Sequence, residues 1–596
     1  MTKNKTMSVL VVGILLISMT GFLLSGCGST AAASADTAST AAASDSAVTE
    51  TASDTSTSGG VAADFSDRDL DGSWSASSGT VITCSGSSVS ISGSGATESG
   101  GVITITTAGT YIFSGTLTDG QIVVNASDSD KVQIVLNGFT ISCSSGAAIN
   151  GIQSDKIFLT LADGTVNTVS DGSSYASTDE KGDPDAAVFS KDDLTINGTG
   201  TLNVTGNYKD GIHSKDDLKI ASGTITVTAV KDGIKGRDSV QINDGVITVN
   251  AKEDGIQSNN DEDTAKGFVV IEGGTLNVTA GKQGIQAESV LQIDGGTINV
   301  ENSYEGMEAP VIIQNNGDVS INSSDDGMNA AAANSSSASS SSTSSSSSGS
   351  SGTSGTSDSS DTAAATNMSF QMGGGSTDGA QMGGGSSGGG QMGGGMMGGD
   401  DSLSITINGG TLNVNAGGDG IDSNGKIVIN GGVSYISGST ANDNSPIDCG
   451  TSSVVNGGTI VAAGSSGMVE MFSDSSGQSS LVYYYSQTQS GGTTATLKDA
   501  DGNTVLTYTP EKDYSCIIIS TAGLQDGSTY TLYAGDTETA QITISGTVTT
   551  SGTASGGTMG GGSMGGGTMK NGGAMGSGST GGSTMGQGRP GSQTTN

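Results

Sequence analysis

The chain has 596 residues, only 33% of them hydrophobic, with 99 glycines and a formal net charge of −38. With 21 basic residues against 59 acidic ones, a polyanionic nucleic acid is excluded as a natural partner. A single histidine, His213, excludes mechanisms that need two imidazoles and any histidine-rich zinc site.

Lys3 and Lys5 precede a short apolar run, Val9 to Ile17, which leads to Leu24-Ser25-Gly26-Cys27. A basic start, a brief apolar stretch and small residues at its end describe a secretory signal over residues 1–26. Leu-Ser-Gly-Cys resembles a bacterial lipobox. That resemblance implies diacylation of Cys27 and a lipid anchor on the extracellular face of the cell membrane. Residues 27–63 are rich in Ala, Ser and Thr, lack any core pattern, and read as a flexible tether.

From residue 64 to 329 the chain is read as rungs of β-structure. Short alternating runs such as Thr224-Ile225-Thr226-Val227 are separated by Gly, Asn and Asp, which argues strand rather than helix. Asp210-Gly211-Ile212 returns at Asp232-Gly233-Ile234 and Asp254-Gly255-Ile256, a step of 22 residues. Variants follow at Gln283-Gly284-Ile285, Glu305-Gly306-Met307, Asp326-Gly327-Met328 and Asp419-Gly420-Ile421. A fixed period in the twenties marks a solenoid. The fold class is therefore all-β: a parallel β-helix whose Ile, Leu and Val stack inward. The Asp-Gly and Gly-Gly pairs are expected at turns that need positive φ.

Residues 330–400 interrupt this pattern with a Ser run and the repeated Gln371-Met372-Gly373, Gln381-Met382-Gly383 and Gln391-Met392-Gly393. No core pattern exists there, so a disordered insert between two rungs is expected. Rungs resume over 401–475. Residues 476–546, with Leu481-Val482-Tyr483-Tyr484-Tyr485 and an Asp501-Gly502 turn, read as an antiparallel cap on the open end. Residues 547–596 read as a disordered Gly/Met-rich tail. Cys84, Cys143, Cys449 and Cys516 form no CxxC pair and read as small buried hydrophobes.

Lys209-Asp210-Gly211-Ile212-His213-Ser214-Lys215-Asp216-Asp217-Leu218, Asp254-Gly255-Ile256-Gln257-Ser258 and Asp419-Gly420-Ile421-Asp422-Ser423 resemble a family of secreted bacterial carbohydrate-binding β-helix proteins. The likeness runs from about Asp64 to Gly546, outside the Ser/Met insert. It implies a right-handed parallel β-helix of pectate-lyase-like fold, bound calcium, and binding of cellulose-like or polygalacturonate-like chains without cleavage.

Stacked rungs place equivalent residues about 4.8 Å apart. Asp210, Asp232 and Asp254 would form one column of carboxylates; Asp192, Asp193, Asp216, Asp217 and Asp238 would form a second. Such repulsion needs relief. Calcium, a hard cation that takes six to eight oxygens, supplies it. Lys209, Lys215 and Lys231 would serve as well in a salt-bridge ladder, and turn hydrogen bonds are a third use for the same Asp residues. Aromatic residues make up only 4% of the chain, and the candidate platforms are Tyr208, Tyr304, Trp74 and Tyr175. The carbohydrate-contact residues expected are Tyr208, Lys209, His213, Lys215, Lys231 and Arg237. A calcium-dependent lyase using Lys215, Lys231, Lys235 or Arg237 as base is the enzymatic alternative, and a structural adhesin the third. The chain is expected to act as a monomer.

Cys27→Ala is expected to abolish incorporation of labelled fatty acid and to release the protein from the membrane fraction. Unchanged fractionation with no label on the wild type would refute the anchor.

Overall fold

The computed structural model describes residues 60–179, 181–332 and 399–553. The signal, Cys27, most of the tether, most of the insert and the Met-rich tail lie outside the described residues. Within these, the chain is almost wholly β, with a single four-residue helix, Asp67–Leu70, started by a Ser66 capping box.

Each rung gives one strand to each of three parallel ladders. Asp210–Ser214, Asp217–Ile220 and Thr224–Ala229 are followed one coil later by Ile234–Gly236, Ser239–Ile242 and Val246–Ala251. The register sets Ile212 on Ile234, Leu218 on Val240 and Ile225 on Ile247. The first ladder, here the Asp-Gly-Ile ladder, is a sheet of 13 strands; the Asp-Asp ladder and the Thr-rich ladder join in one of 27. The parallel β-helix read from the repeat is therefore present. The inward Ile, Leu and Val of every rung are fully buried, each contributing about 1.5–3 kcal/mol relative to exposure.

The glycines divide into two kinds. The second residue of each Gly-Gly pair does need the left-handed region: φ is 86° at Gly274, 89° at Gly296 and 76° at Gly410. Those of Asp-Gly-Ile do not, contrary to expectation. A Cβ on Gly211 would strike Val227 and the carbonyl of Gly233, and one on Gly233 would strike Val249 and the carbonyl of Gly255. Close approach to the Thr-rich ladder, rather than turn geometry, excludes side chains there.

A strap, residues 60–74, crosses the outward face of the Asp-Asp ladder. Val61 N donates to Gln292 Oε1 (3.0 Å), Asp64 N to Gln241 Oε1 (2.9 Å), and Thr195 Oγ1 to Asp69 Oδ1 (2.6 Å). Lys156 pairs with Asp69 at 2.8 Å. These contacts satisfy polar side chains that the strap itself buries. Trp74 packs at its end against Ile112, Val135 and Ala162.

The last strand of the Thr-rich ladder, Thr459–Gly464, is covered by the antiparallel strand Tyr514–Thr521, which also pairs with Ser480–Gln489. A four-stranded antiparallel sheet adjoins it, running Thr504–Tyr508, Ala495–Lys498, Thr529–Ala534, Thr537–Thr543. Val548–Gly552 pairs with Ser480–Gln489, so strand structure continues past Gly546. Cys84, Cys143 and Cys516 are buried, Cys449 partly so, and all four are free thiols.

Ala330 closes the strand Met328–Ala330, and Ala331 is buried beside it. Asn424 N donates to Ala330 O (3.0 Å), and Asp400 N donates to Asn424 O (2.9 Å). Both margins of segment 333–398 are thus fastened to one residue, and a short connection suffices. Replacing 333–398 by about eight Gly/Ser residues is expected to leave Tm nearly unchanged, because closure entropy grows only logarithmically with length. A large fall in Tm would show that the segment packs on the body.

Candidate functional site

The outward face of the Asp-Gly-Ile ladder carries two polar files. In the first, Asp210, Asp232 and Asp254 stack on successive rungs and are 1%, 0% and 5% exposed. Each accepts a backbone N–H from the next rung: Asp232 N to Asp210 Oδ1 (3.2 Å), Asp254 N to Asp232 Oδ1 (3.3 Å), Gln283 N to Asp254 Oδ1 (3.2 Å). Asp232 is also met by Lys231 at 2.8 Å and Lys235 at 2.9 Å. Burial and the Asp232 charge push the carboxyls of Asp210 and Asp254 up to about 6. In the second file His213 stacks on Lys235 and Gln257. His213 Nδ1 lies 2.7 Å from Asp185 Oδ1 and 3.6 Å from Asp210 Oδ2; the three side chains converge closely enough to hold a metal ion.

Further along the axis the same two files become acidic without becoming basic. Glu305 stacks below Gln283, while Glu308, Asn329 and Asp422 stack in the neighbouring file. Asp419 N donates to Asp326 Oδ1 at 2.7 Å. Among the described residues no lysine or arginine pairs with Glu305, Glu308, Asp326, Asp419 or Asp422. Burial, reinforced by Glu308, pushes Glu305 up to about 7; burial with neighbouring carboxylates pushes Asp326 and Asp422 to about 8. Asn329 donates to Glu305 Oε1 (3.4 Å), and its buried Oδ1 has no partner among the described residues. Carboxylates and an amide oxygen make a donor set suited to a hard cation. The Asp-Gly-Ile variants mark the first file in the sequence. The second, three residues further on, shows in the sequence only at His213 and Lys235; its acidic end has no repeated residue, and residues 333–398 separate Asn329 from its neighbour Asp422.

The Asp-Asp ladder brings a second set together. Its register places Asp193 beside Asp217, and Asp217 beside Ser239. Asp192 accepts from Ser154 N (2.7 Å), and Asp217 from Ser239 Oγ (2.7 Å). Asp216 accepts no side-chain hydrogen bond among the described residues; burial, then Asp238 and Asp193, push its carboxyl up to about 6. Cations stand at the margins: Lys156 is 3.7 Å from Asp193, and Asp238 is held by Lys266 (2.5 Å) and Arg237 (3.5 Å).

Of the remaining candidates, Tyr208, Lys209 and Lys215 gather at the loop 171–185, while Arg237 and Tyr304 lie on other rungs. Tyr208 stacks on Tyr175, with centroids 4.2 Å apart and planes at 22°, and Lys209 Nζ sits 5.2 Å from the Tyr208 ring. Lys215 is 3.4 Å from Asp183. Arg237 is 2.6 Å from Glu262. Tyr304 is 40% exposed.

Over residues 99–385 the chain matches the model of a family described as carbohydrate-binding domain-containing protein. Fold and family model together fit the class that the Asp-Gly-Ile repeats resemble, a carbohydrate-binding parallel β-helix. A protein of the same description from Acetivibrio thermocellus is 40% identical over 128 residues, which cover 21% of this chain and 45% of that relative. The chain thus spans less than half the length of that relative. A solved structure described as the polysaccharide lyase-like protein from C. thermocellum, a gadolinium derivative, is 34% identical; the match covers 37% of this chain and 94% of that one, with a TM-score of 0.35.

Carboxyls raised in the fold keep protons that the unfolded chain releases. The chelated protein must therefore lose stability as pH rises from about 4 to about 8, the window between ordinary carboxylates and Asp326 or Asp422. In chelator, Tm is expected to be several degrees lower at pH 8 than at pH 5.5, and Asp422→Asn to flatten the dependence. A Tm that rises over this window would contradict the assignment.

Proposed function

We propose that this protein binds plant-type polysaccharide without cleaving it, holds calcium on its outward carboxylate files, and works at the cell surface through a lipid on Cys27. The observation that carries the calcium reading is the acidic run Glu305, Asp326 and Asp422 beside Asn329, whose Oδ1 has no partner and where no lysine or arginine pairs with the acids among the described residues. A divalent ion there would offset the carboxylate charge and take their oxygens as shared ligands. The Asp192, Asp193, Asp216 and Asp217 set is a second place of the same chemistry, and the Asp185, Asp210 and His213 group a third. Asp232, already matched by two lysines, has less need of a metal.

Binding is favoured over lyase chemistry by the state of the candidate bases. A base must be free to take a proton. Burial alone would lower Lys231, but Asp232 and Asp210 outweigh it and hold the ammonium charged well above its ordinary range. Lys235 is fastened to Asp232, and Arg237 to Glu262 and Asp238.

Polygalacturonate and a neutral glucan, each tested with and without chelator, examine this reading. Asp326→Asn with Asp422→Asn is expected to weaken calcium by at least about tenfold. No new ultraviolet absorbance from unsaturated uronate ends is expected. Such absorbance in the wild type, lost in Lys231→Ala, would replace binding by lyase activity.

A further inference from the structure

A groove of about 740 Å³ lies where the Thr-rich ladder meets the four-stranded antiparallel sheet, and it is lined from both. Its floor is one outward file of the ladder, Asn299, Ser320, Asn413 and Tyr435 on successive rungs. Its wall is the segment 507–511. Tyr508 of that wall stacks on Tyr435, with centroids 5.4 Å apart and planes at 21°. Two contacts brace the wall: Asn415 Nδ2 donates to Glu511 Oε2 (2.8 Å), and Lys512 Nζ donates to Ala416 O. Both rings are part-exposed, and Asn413 is exposed with its amide bonded to nothing among the described residues.

The chemistry of this lining is specific. Amides both donate and accept, which suits the adjacent hydroxyls of a sugar. Aromatic faces carry negative charge density and attract the weakly positive C–H groups on the flat side of a pyranose. Among the described residues no lysine or arginine lines the groove, whereas Glu301 and Glu511 do, so a uronate chain is repelled and a neutral one is not. The file repeats at the rung spacing of about 4.8 Å, close to the length of one sugar ring in an extended chain, so successive side chains meet successive rings. The volume lies within the usual range of ligand sites.

We propose that this groove is a binding subsite for a neutral, hydroxyl-rich polysaccharide running along the solenoid axis, with Tyr435 and Tyr508 as its stacking platform. The subsite rests on the polysaccharide-binding reading above. Its Asn413, Tyr435 and Tyr508 lie beyond residues 99–385, the part that matches the family model, while Asn299 and Ser320 lie within it; the groove is separate from the carboxylate files.

The test measures binding of the full chain to a soluble β-glucan and to polygalacturonate, in calcium. Tyr508→Ala is expected to weaken the β-glucan about tenfold and to leave polygalacturonate within about twofold. Because Tyr508 also packs, Asn413→Lys provides a second variant: the Asn413 side chain is exposed and holds no hydrogen bond among the described residues, and the longer side chain obstructs the floor. It should reduce β-glucan binding similarly with Tm unchanged. Unaltered β-glucan affinity in folded Asn413→Lys and Tyr508→Ala would overturn the groove while leaving polysaccharide binding in place. Equal loss of both polymers would overturn its restriction to neutral chains. A wild type that binds neither polymer would overturn the polysaccharide reading itself, and the groove with it.

Discussion

Every rung lies directly on the one before, hydrogen-bonded in parallel register, so whatever one rung places outward the next places about 4.8 Å away. Inside, this is favourable without qualification: Ile212, Ile234, Ile256 and Ile285 stack as a column from which water is excluded. Outside, the same constraint sets Asp210, Asp232 and Asp254 in a row. Unit charges that close repel by about 1 kcal/mol in a water-like medium and by several in a partly buried one. The outward chemistry of the molecule is a set of answers to that repulsion.

The answers change along the axis. Near Asp232 they are lysines and backbone amides. At Gln283 and Gln286 they are neutral amides in place of acids. From Glu305 to Asp422 no lysine meets the acids among the described residues, and burial among neighbouring carboxylates raises Glu305 to about 7 and Asp422 to about 8. Lysines in one part of the file and none in the next, on an otherwise regular scaffold, is difficult to attribute to folding alone, since a Gln at Glu305 would have served the rung as it does at Gln283. The acidic end is thus the part of the ladder whose composition asks for a partner.

The period of 22 residues, the inward columns and the antiparallel cap were legible because each is a repeated or alternating pattern. Three things were not. The strap at residues 60–74 has no periodicity, and its identity rests on single contacts such as Asp69 with Lys156. The edges at Ala330 and Val548 were misplaced by a few residues, since alanine and threonine carry little hydrophobic signal. The Glu305–Asp422 cluster and the Tyr435–Tyr508 pair join residues on either side of long separations, which no local spacing reveals.

The glycines of Asp-Gly-Ile connect these observations. With no Cβ at Gly211, Gly233 or Gly255, the Asp-Gly-Ile ladder sits tightly against Val227, Val249 and Val278 of the Thr-rich ladder. That approach draws the preceding Asp inward, which accounts for its near-complete burial and for its need of a backbone N–H from the next rung. The motif is therefore first a packing device that happens to bury a carboxylate. Where lysine accompanies it, as at Asp232, the structure is electrostatically complete. Where lysine is missing, as at Asp326, the same packing leaves a half-buried acid with a single backbone donor among the described residues, so the difference between a rung whose charge is matched and one whose charge is not rests on the residues beside the motif rather than on the motif itself.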